Sequence, residues 1–311
     1  MPSPPIDLVI EILSFGVFLP LVVAGAVLYA AARLLKRGGP IGAVLAVVAG
    51  FLVGNHFRPA AEYRIDSDRP LAVGELASEV YHAVGGGAEL SDEPVPHPPA
   101  RYWLPWAALL ASIAGVVARA PRVPLVGGWL MPGLVAVLVA RLMVPPSLRL
   151  ELPWLWPAFA AVVLAGWGLL DGFAEDSSGW VPFGIGMVFA AGGVVLIHAQ
   201  SARLTDLAIV LSGSWFGLAL AAWWTGADVR SAVPVAAVSL PALMLVGQQS
   251  TYSDVPLASF ALVALAPLGL VPLLLPALRR RRGAFVGLGL LLLTSMIAVI
   301  LAVRAESLSF D

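Results

Sequence analysis

The chain has 311 residues, of which 59% are hydrophobic and only 12% are charged, whereas about 25% are charged in an ordinary soluble domain. Its net charge of −1 argues against a nucleic-acid-binding surface, and the absence of cysteine excludes disulfides, thiolate catalysis and cysteine-ligated metals. Long apolar runs and a mean hydropathy of +0.91 predict an all-α, polytopic integral membrane bundle, because backbone groups in a bilayer must be satisfied within helices.

Apolar segments that are long enough to cross a bilayer recur along the chain and predict about ten transmembrane helices. The first segment lacks a basic region before it and is too long for a signal-peptide core, so we interpret it as a retained span. The predicted spans are residues 8–32, 41–56, 102–118, 123–141, 152–170, 180–198, 205–224, 232–248, 255–277 and 284–303.

The spans divide the chain into three parts. Residues 1–56 hold the first two transmembrane helices, and residues 102–311 form an eight-helix transmembrane bundle. Residues 57–101 between them carry eight acidic and four basic residues, with one short amphipathic helix predicted over Leu71 to Val84. About 45 residues bury too little surface to fold alone, so this segment is predicted to be an extracytoplasmic flap.

Basic residues set the orientation through the positive-inside rule. Placing both termini on the extracytoplasmic side puts most basic residues in the short inner loops. The strongest group is Arg279, Arg280, Arg281 and Arg282, which is interpreted as a topology anchor or as a binding site for anionic lipid headgroups. The expected location is a membrane, with the bacterial cytoplasmic (inner) membrane as the expected compartment.

Two short polar islands interrupt the apolar sequence, at Ile197 to Asp206 (I-H-A-Q-S-A-R-L-T-D) and at Gly247 to Asp254 (G-Q-Q-S-T-Y-S-D). Because two spans separate them, both islands should reach the same side of the bilayer. The middle of the membrane holds almost no ionisable residue, which argues against a proton relay at mid-depth. The candidate substrate-binding residues therefore form a shallow outward-facing site: Glu11, His56, His198, Gln200, Arg203, Asp206, Gln248, Gln249 and Asp254.

Catalytic and metal-binding patterns are weak. His56 and His198 end parallel spans, but no metal-ligand spacing accompanies them, so no metal and no cofactor is predicted. The stretch from Ser212 to Gly217 resembles the Ser-Gly-x-x-x-Gly stretch after the nucleophile of rhomboid intramembrane proteases. However, Val210 replaces the preceding glycine and no histidine follows His198, so the general base is missing. We interpret these small residues as a helix-packing seam.

Glycines and prolines within the spans predict packing seams and helix breaks. Gly287 and Gly289 in the last span are interpreted as packing residues. Four prolines, at positions 132, 241, 267 and 272, are expected to interrupt helices, and such breaks expose backbone carbonyls in transporters.

Three functions fit these patterns. The first is a transporter or permease-like protein for a small solute or lipid, using the shallow outward-facing site. The second is a non-catalytic subunit or scaffold of a membrane complex that docks protein partners through residues 57–101. The third is a membrane enzyme that acts on lipid at the outer interface through Glu11, His56, His198 or Asp206. Membrane lipid is the expected partner in every case, and nucleic acid in none.

Overall fold

The structure is a computed structural model that describes residues 12–34, 39–57, 104–119, 125–176, 179–251 and 253–308. All regular elements within these residues are helical, as predicted. The helices are α1 (Leu19–Leu34, preceded by a π-helical segment, Ile12–Phe18), α2 (Gly39–Phe57), α3 (Leu104–Ala118), α4 (Leu125–Met143), α5 (Pro146–Glu151), α6 (Leu155–Asp176), α7 (Trp180–His198), α8 (Ala202–Thr225), α9 (Val233–Gln249), α10 (Leu257–Ala264) and α11 (Pro276–Leu308). Two 3₁₀ segments, Arg230–Ala232 and Ala266–Leu274, precede α9 and follow α10.

Six helical stretches are long and apolar enough to cross a membrane, and a seventh is added if the bent pair that begins with α10 forms one span. The six are Leu13–Leu34, Leu155–Glu175, Trp180–His198, Ala202–Thr225, Arg230–Gln249 and Gly283–Ala305. Shorter apolar helices coincide with three more predicted spans, at Ile41–His56, Trp106–Ala118 and Leu130–Met143. These helices are what a multi-pass membrane protein requires. The count of ten spans and the orientation of the termini stay predictions.

The helices are apolar on their buried faces and on their outward faces. The central helix is α9, whose span is 89% buried against α3, α6 and α10. In contrast, α1 and α11 lie at the edge and expose large apolar side chains such as Val22, Leu293 and Ile300. An outer surface of this kind is favourable in lipid and unfavourable in water, which agrees with the membrane assignment.

Helices α1, α2 and α8 pack closely through glycines. A Cβ added at Gly217 of α8 would overlap the α1 backbone at Leu21, and one added at Gly213 would overlap the backbone of the preceding π-helical segment at Val17. A Cβ added at Gly50 of α2 would lie 2.7 Å from the Ser214 hydroxyl oxygen of α8. Only hydrogen fits at these positions, so the backbones touch. The predicted packing seam at Ser212 to Gly217 is thus confirmed.

One apolar helical stretch is bent. Helix α10 and the 3₁₀ segment Ala266–Leu274 meet at Leu265 with a bend of 46°. Pro267 and Pro272 lie in the 3₁₀ segment, and neither has an N–H to donate to a preceding carbonyl. Pro132 and Pro241, which were also expected to interrupt helices, lie inside continuous helices.

Helix α11 begins earlier than the predicted span 284–303. It starts at Pro276, so Arg279 to Arg282 belong to the helix and not to a loop. Arginine is a good helix former, which accounts for the extension. The side chains of these four arginines, the flap over residues 57–101 and Glu11 lie outside the described part of the structure.

Candidate functional site

The two polar islands meet at one end of the bundle. The Ser253 hydroxyl donates a 2.7 Å hydrogen bond to the carbonyl oxygen of His198, and the Thr251 hydroxyl lies 3.5 Å from the carbonyl oxygen of Ala199. We call these four residues the island contact. It joins the turn between α7 and α8 to the loop between α9 and α10. The prediction that both islands reach the same side is therefore consistent with this packing.

Gln200 closes the turn after α7 in a left-handed conformation, with φ of 56°. The Ser201 N–H donates to the carbonyl of Leu196 at 3.0 Å, and the Gln200 N–H donates to that of Ile197 at 2.9 Å. This is the hydrogen-bond pattern that ends many helices, but the left-handed position is ordinarily occupied by glycine. A glutamine there is strained by about 1–2 kcal/mol, and such strain is often found at functional sites.

The described candidate residues surround the island contact. His198, Arg203, Asp206 and Gln248 are half-buried, whereas His56, Gln200, Gln249 and Asp254 are exposed. His56 belongs to the same end of the bundle, because Gly54 of α2 packs against Val210, one turn after Asp206 in α8.

A second polar site, the ion-pair cluster, lies at the opposite end of the bundle. It consists of Arg119, Asp171, Glu175, Asp228 and Arg230. Arg119 donates a hydrogen bond to Asp171, and the Arg230 guanidinium donates to both carboxylate oxygens of Asp228 at 3.1 and 3.2 Å. Since α9 separates this cluster from the island contact, the two sites are about 26 Å apart along its axis.

A close helix–loop approach assembles the cluster. A Cβ added at Gly115 of α3 would overlap the carbonyl oxygen of Ser231, so α3 touches the 3₁₀ segment Arg230–Ala232 directly. This contact places Arg119, one turn further along, beside Asp171 of α6. The Asp228 carboxylate also accepts a hydrogen bond from the Arg230 N–H at 3.0 Å, which fixes the loop.

Burial and neighbouring charges shift the pKa values of two residues in the cluster, Arg119 and Asp228. Burial lowers the pKa of Arg119, and the nearby charge of Arg230 lowers it further. Burial raises the pKa of Asp228, but hydrogen bonds from Arg230 outweigh burial, and its pKa lies below the ordinary value. The lowered pKa keeps the Asp228 carboxylate ionised at neutral pH. Its hydrogen bonds with Arg230, the Arg230–Glu175 ion pair and the Arg119–Asp171 pair join α3, α6 and the loop before α9.

The sequence alone did not identify this cluster. Arg119 and Asp171 are 52 positions apart, so no local pattern connects them. One sequence feature could have indicated the cluster. The alternating spans bring several helix ends to the same side, and these ends carry opposite charges.

The interior between the two polar sites is uncharged: charged residues of the described helices occur only within about two turns of a helix end. Several buried hydroxyls bond to their own helix, as Ser214 does to Val210 and Ser295 to Leu291. Ser212 instead donates to the carbonyl of Gly186 in α7 at 2.8 Å. Its hydroxyl proton is thus engaged in helix packing, in agreement with the seam interpretation.

Aromatic side chains cluster at the same end as the ion pairs. The Trp180 ring lies 5.2 Å from both the Trp223 and the Phe285 rings, measured between centroids. A groove of about 240 Å³ opens beside them, with an apolar lining of Phe183, Phe216, Leu220 and Trp223. It is smaller than an ordinary ligand pocket and offers no polar group for orientation, so it fits an interfacial aromatic belt.

Comparisons with known proteins give no assignment. No protein family model, no curated protein and no solved structure matches the chain. Among the described residues, no group of three or more His, Cys, Asp or Glu side chains is placed to hold a metal ion.

Proposed function

We propose that the protein is a membrane transporter for a small amphipathic or lipid-type solute. The observation that carries the proposal is the break at Leu265, which divides an apolar span into α10 and a 3₁₀ segment bent by 46°. Discontinuous helices near the bilayer midplane bind substrates in many transporters, because unpaired carbonyls and helix ends face the site.

The break lies at mid-depth. Gly166, at the middle of α6, is in van der Waals contact with Pro267: a Cβ added there would lie 3.6 Å from the Pro267 Cβ atom. On the other side, Gly269 packs against Thr294, at the middle of the span Gly283–Ala305. Because proline has no backbone N–H, Pro267 and Pro272 leave carbonyls of the preceding turn without their usual hydrogen-bond donors. A hydroxyl or amide of the solute would donate to these carbonyls instead.

The surrounding side chains favour an uncharged or amphipathic solute. The polar groups at this depth are hydroxyls, such as Thr294 and Ser295. They donate to carbonyls of their own helix, so they offer a solute only acceptor lone pairs and no neutralising charge. Moving an ion past them would carry the full cost of a charge in the bilayer. The candidate residues around the island contact, including Arg203 and Asp206, would receive the polar end of the solute at the predicted outer side.

A second function is favoured by the rigidity of the rest of the bundle. Glycine contacts join α1, α2 and α8, and the two polar sites fasten both ends of α9. A rigid bundle of this kind suits a non-catalytic subunit that docks partners through residues 57–101. The two functions differ in one respect, because only a transporter requires the broken span to move.

Spin labels test this difference without knowledge of the substrate. The natural chain has no cysteine, so pairs of introduced cysteines are the only labelling sites. One pair, Leu257→Cys with Ile197→Cys, reports on the outer arm of the break, and Leu274→Cys with Trp224→Cys reports on the inner arm; all four positions are exposed. The outer arm is about 12 Å long, so a rotation of about 20° moves its end by about 4 Å, which pulsed electron spin resonance resolves.

The matched control is Val22→Cys with Leu52→Cys, two exposed positions on the glycine-packed helices α1 and α2. A transporter in lipid nanodiscs should give two distances for at least one arm and one distance for the control. A single distance for both arms, as narrow as that of the control, would contradict transport and favour the subunit. The subunit function further predicts that protein partners copurify stoichiometrically in mild detergent.

A further inference from the structure

We propose that Arg141 and Arg149 form a binding site for the phosphate group of an anionic membrane lipid, at the hairpin formed by α4, α5 and α6. This site is separate from the island contact, from the break at Leu265 and from the arginines at 279–282, and it does not depend on the transport function.

Arg141 is held at the end of α4. Its guanidinium carbon lies 4.4 Å from the centroid of the Trp156 ring, a cation–π contact that fixes the plane of the side chain. The position in the last turn of α4 also suits a cation, since the helix dipole is negative there. The stacked face leaves the edge of the guanidinium, with its N–H donors, available to an anion.

Arg149 lies beside it on the short helix α5. Its Nε atom is buried and has no hydrogen-bond acceptor, and the positive charge of Arg141 acts on it. Within the described part of the chain, no carboxylate lies within ion-pair distance of either guanidinium. An anion would neutralise these two cations and give the buried donor an acceptor, and phosphate accepts from two guanidiniums at once.

The surroundings indicate that this phosphate belongs to a lipid. Three apolar side chains next to the arginine pair point outward: Leu150 is 86% exposed, Trp154 is 62% exposed and Leu152 is 38% exposed. Apolar and aromatic side chains beside cations are typical of the headgroup boundary of a membrane. There the apolar and aromatic side chains contact acyl chains, and the cations contact phosphate groups. A free phosphate ion would gain nothing from these three residues.

Lipid binding to the purified full chain tests the site. Native mass spectrometry from neutral detergent counts bound phosphatidylglycerol and phosphatidylcholine supplied at equal mole fractions. Thermal unfolding with inorganic phosphate, compared with thermal unfolding with the lipid, shows whether a free ion is sufficient. We expect the wild type to prefer phosphatidylglycerol. Arg141→Gln and Arg149→Gln should each weaken its binding roughly fivefold, and the double variant roughly twenty-five-fold.

Arg33→Gln is the matched control. Arg33 is also stacked on an aromatic ring, that of Tyr29 at 5.3 Å, but it is exposed and donates to the Tyr29 hydroxyl. The control should bind phosphatidylglycerol as the wild type does. Three results would overturn the proposal: equal binding of both lipids by the wild type, unchanged binding by the double variant, or protection by inorganic phosphate that matches protection by the lipid and so identifies a free ion.

A conservative variant keeps the test decisive if the double glutamine variant does not fold. Arg141→Lys combined with Arg149→Lys keeps both charges and removes the planar fork of donors. It should still prefer phosphatidylglycerol but bind it more weakly than the wild type. Loss of that preference in the folded lysine variant would count against a charge-based phosphate site.

Discussion

The close packing of α1 against α8 makes Gly217→Ala the sharpest test of the fold. A Cβ at position 217 would overlap the carbonyl oxygen of Leu21 and lie 2.8 and 2.9 Å from the carbonyl carbon and Cα of that residue. Carbon atoms in contact are about 3.5–4.0 Å apart, so the two backbones would have to separate by about 1 Å. Neither backbone can yield by changing a rotamer.

Overpacking of this kind costs about 1–3 kcal/mol, whereas alanine gains about 0.5–1 kcal/mol over glycine in a helix. The net result for Gly217→Ala is a loss of up to about 2.5 kcal/mol in the free energy of unfolding. Gly289→Ala is the matched control, because a Cβ there meets nothing within 4 Å among the described residues. Gly289→Ala therefore has the gain in helix propensity without the cost of overpacking, so it should raise the free energy of unfolding while Gly217→Ala lowers it.

Reversible unfolding in mixed micelles with increasing SDS, followed by circular dichroism, measures both variants on one scale. Equal stability of the two variants would refute the close approach of α1 and α8. Destabilisation by Gly289→Ala of the same size would show instead that α11 packs where the structure leaves its surface open.

Three further predictions concern the two polar sites. Gln200→Gly should raise the free energy of unfolding by about 1 kcal/mol, because glycine adopts the left-handed turn without strain; a loss of stability in the same unfolding assay would show that the glutamine side chain is structural. Ser253→Ala should cost about 0.5–1.5 kcal/mol, since the carbonyl of His198 loses its 2.7 Å hydrogen bond, and no change would place the two islands apart. The third prediction concerns pH: the pKa of Asp228 is lower in the folded state than in the unfolded chain, so its contribution is present at neutral pH and lost as acidification passes the folded-state pKa. The stability difference between wild type and Asp228→Asn should therefore shrink below about pH 4, and a difference that grows on acidification would contradict the pairing with Arg230.

The helical class, several spans and the meeting of the islands were predictable from sequence for one physical reason. Apolar runs must cross the bilayer, so polar interruptions separated by two spans return to the same side. The packing role of Gly213 and Gly217 was likewise readable, because small residues four apart line one face of a helix. Gly289 shows the limit of that pattern: it was interpreted as a packing residue, yet no described residue would contact a Cβ at this position of α11.

Features that depend on the arrangement of distant helices were not predictable. The pairing of Arg119 with Asp171 requires α3 to contact the 3₁₀ segment before α9, and no local sequence pattern encodes this contact. The arginine pair on the α4–α6 hairpin was not predictable either, because Arg141 and Arg149 come together only through the turn formed by α5.

The break at Leu265 was only partly predictable. All four prolines were expected to interrupt helices. However, Pro132 and Pro241 each lie as a single internal proline within a continuous helix. Pro267 and Pro272 remove donors from consecutive turns of one short stretch, and the helix bends at its start.

The central claim is that the island contact and the ion-pair cluster lie on opposite sides of a membrane. Two single-cysteine variants of this cysteine-free chain test it, Gln249→Cys beside the island contact and Glu175→Cys in the ion-pair cluster, both at exposed positions. A membrane-impermeant maleimide applied to sealed, oriented vesicles should label Gln249→Cys before lysis and Glu175→Cys only after it, as the positive-inside rule predicts. Labelling of both variants from the same side would contradict the claim, and with it the transport path between the two sites.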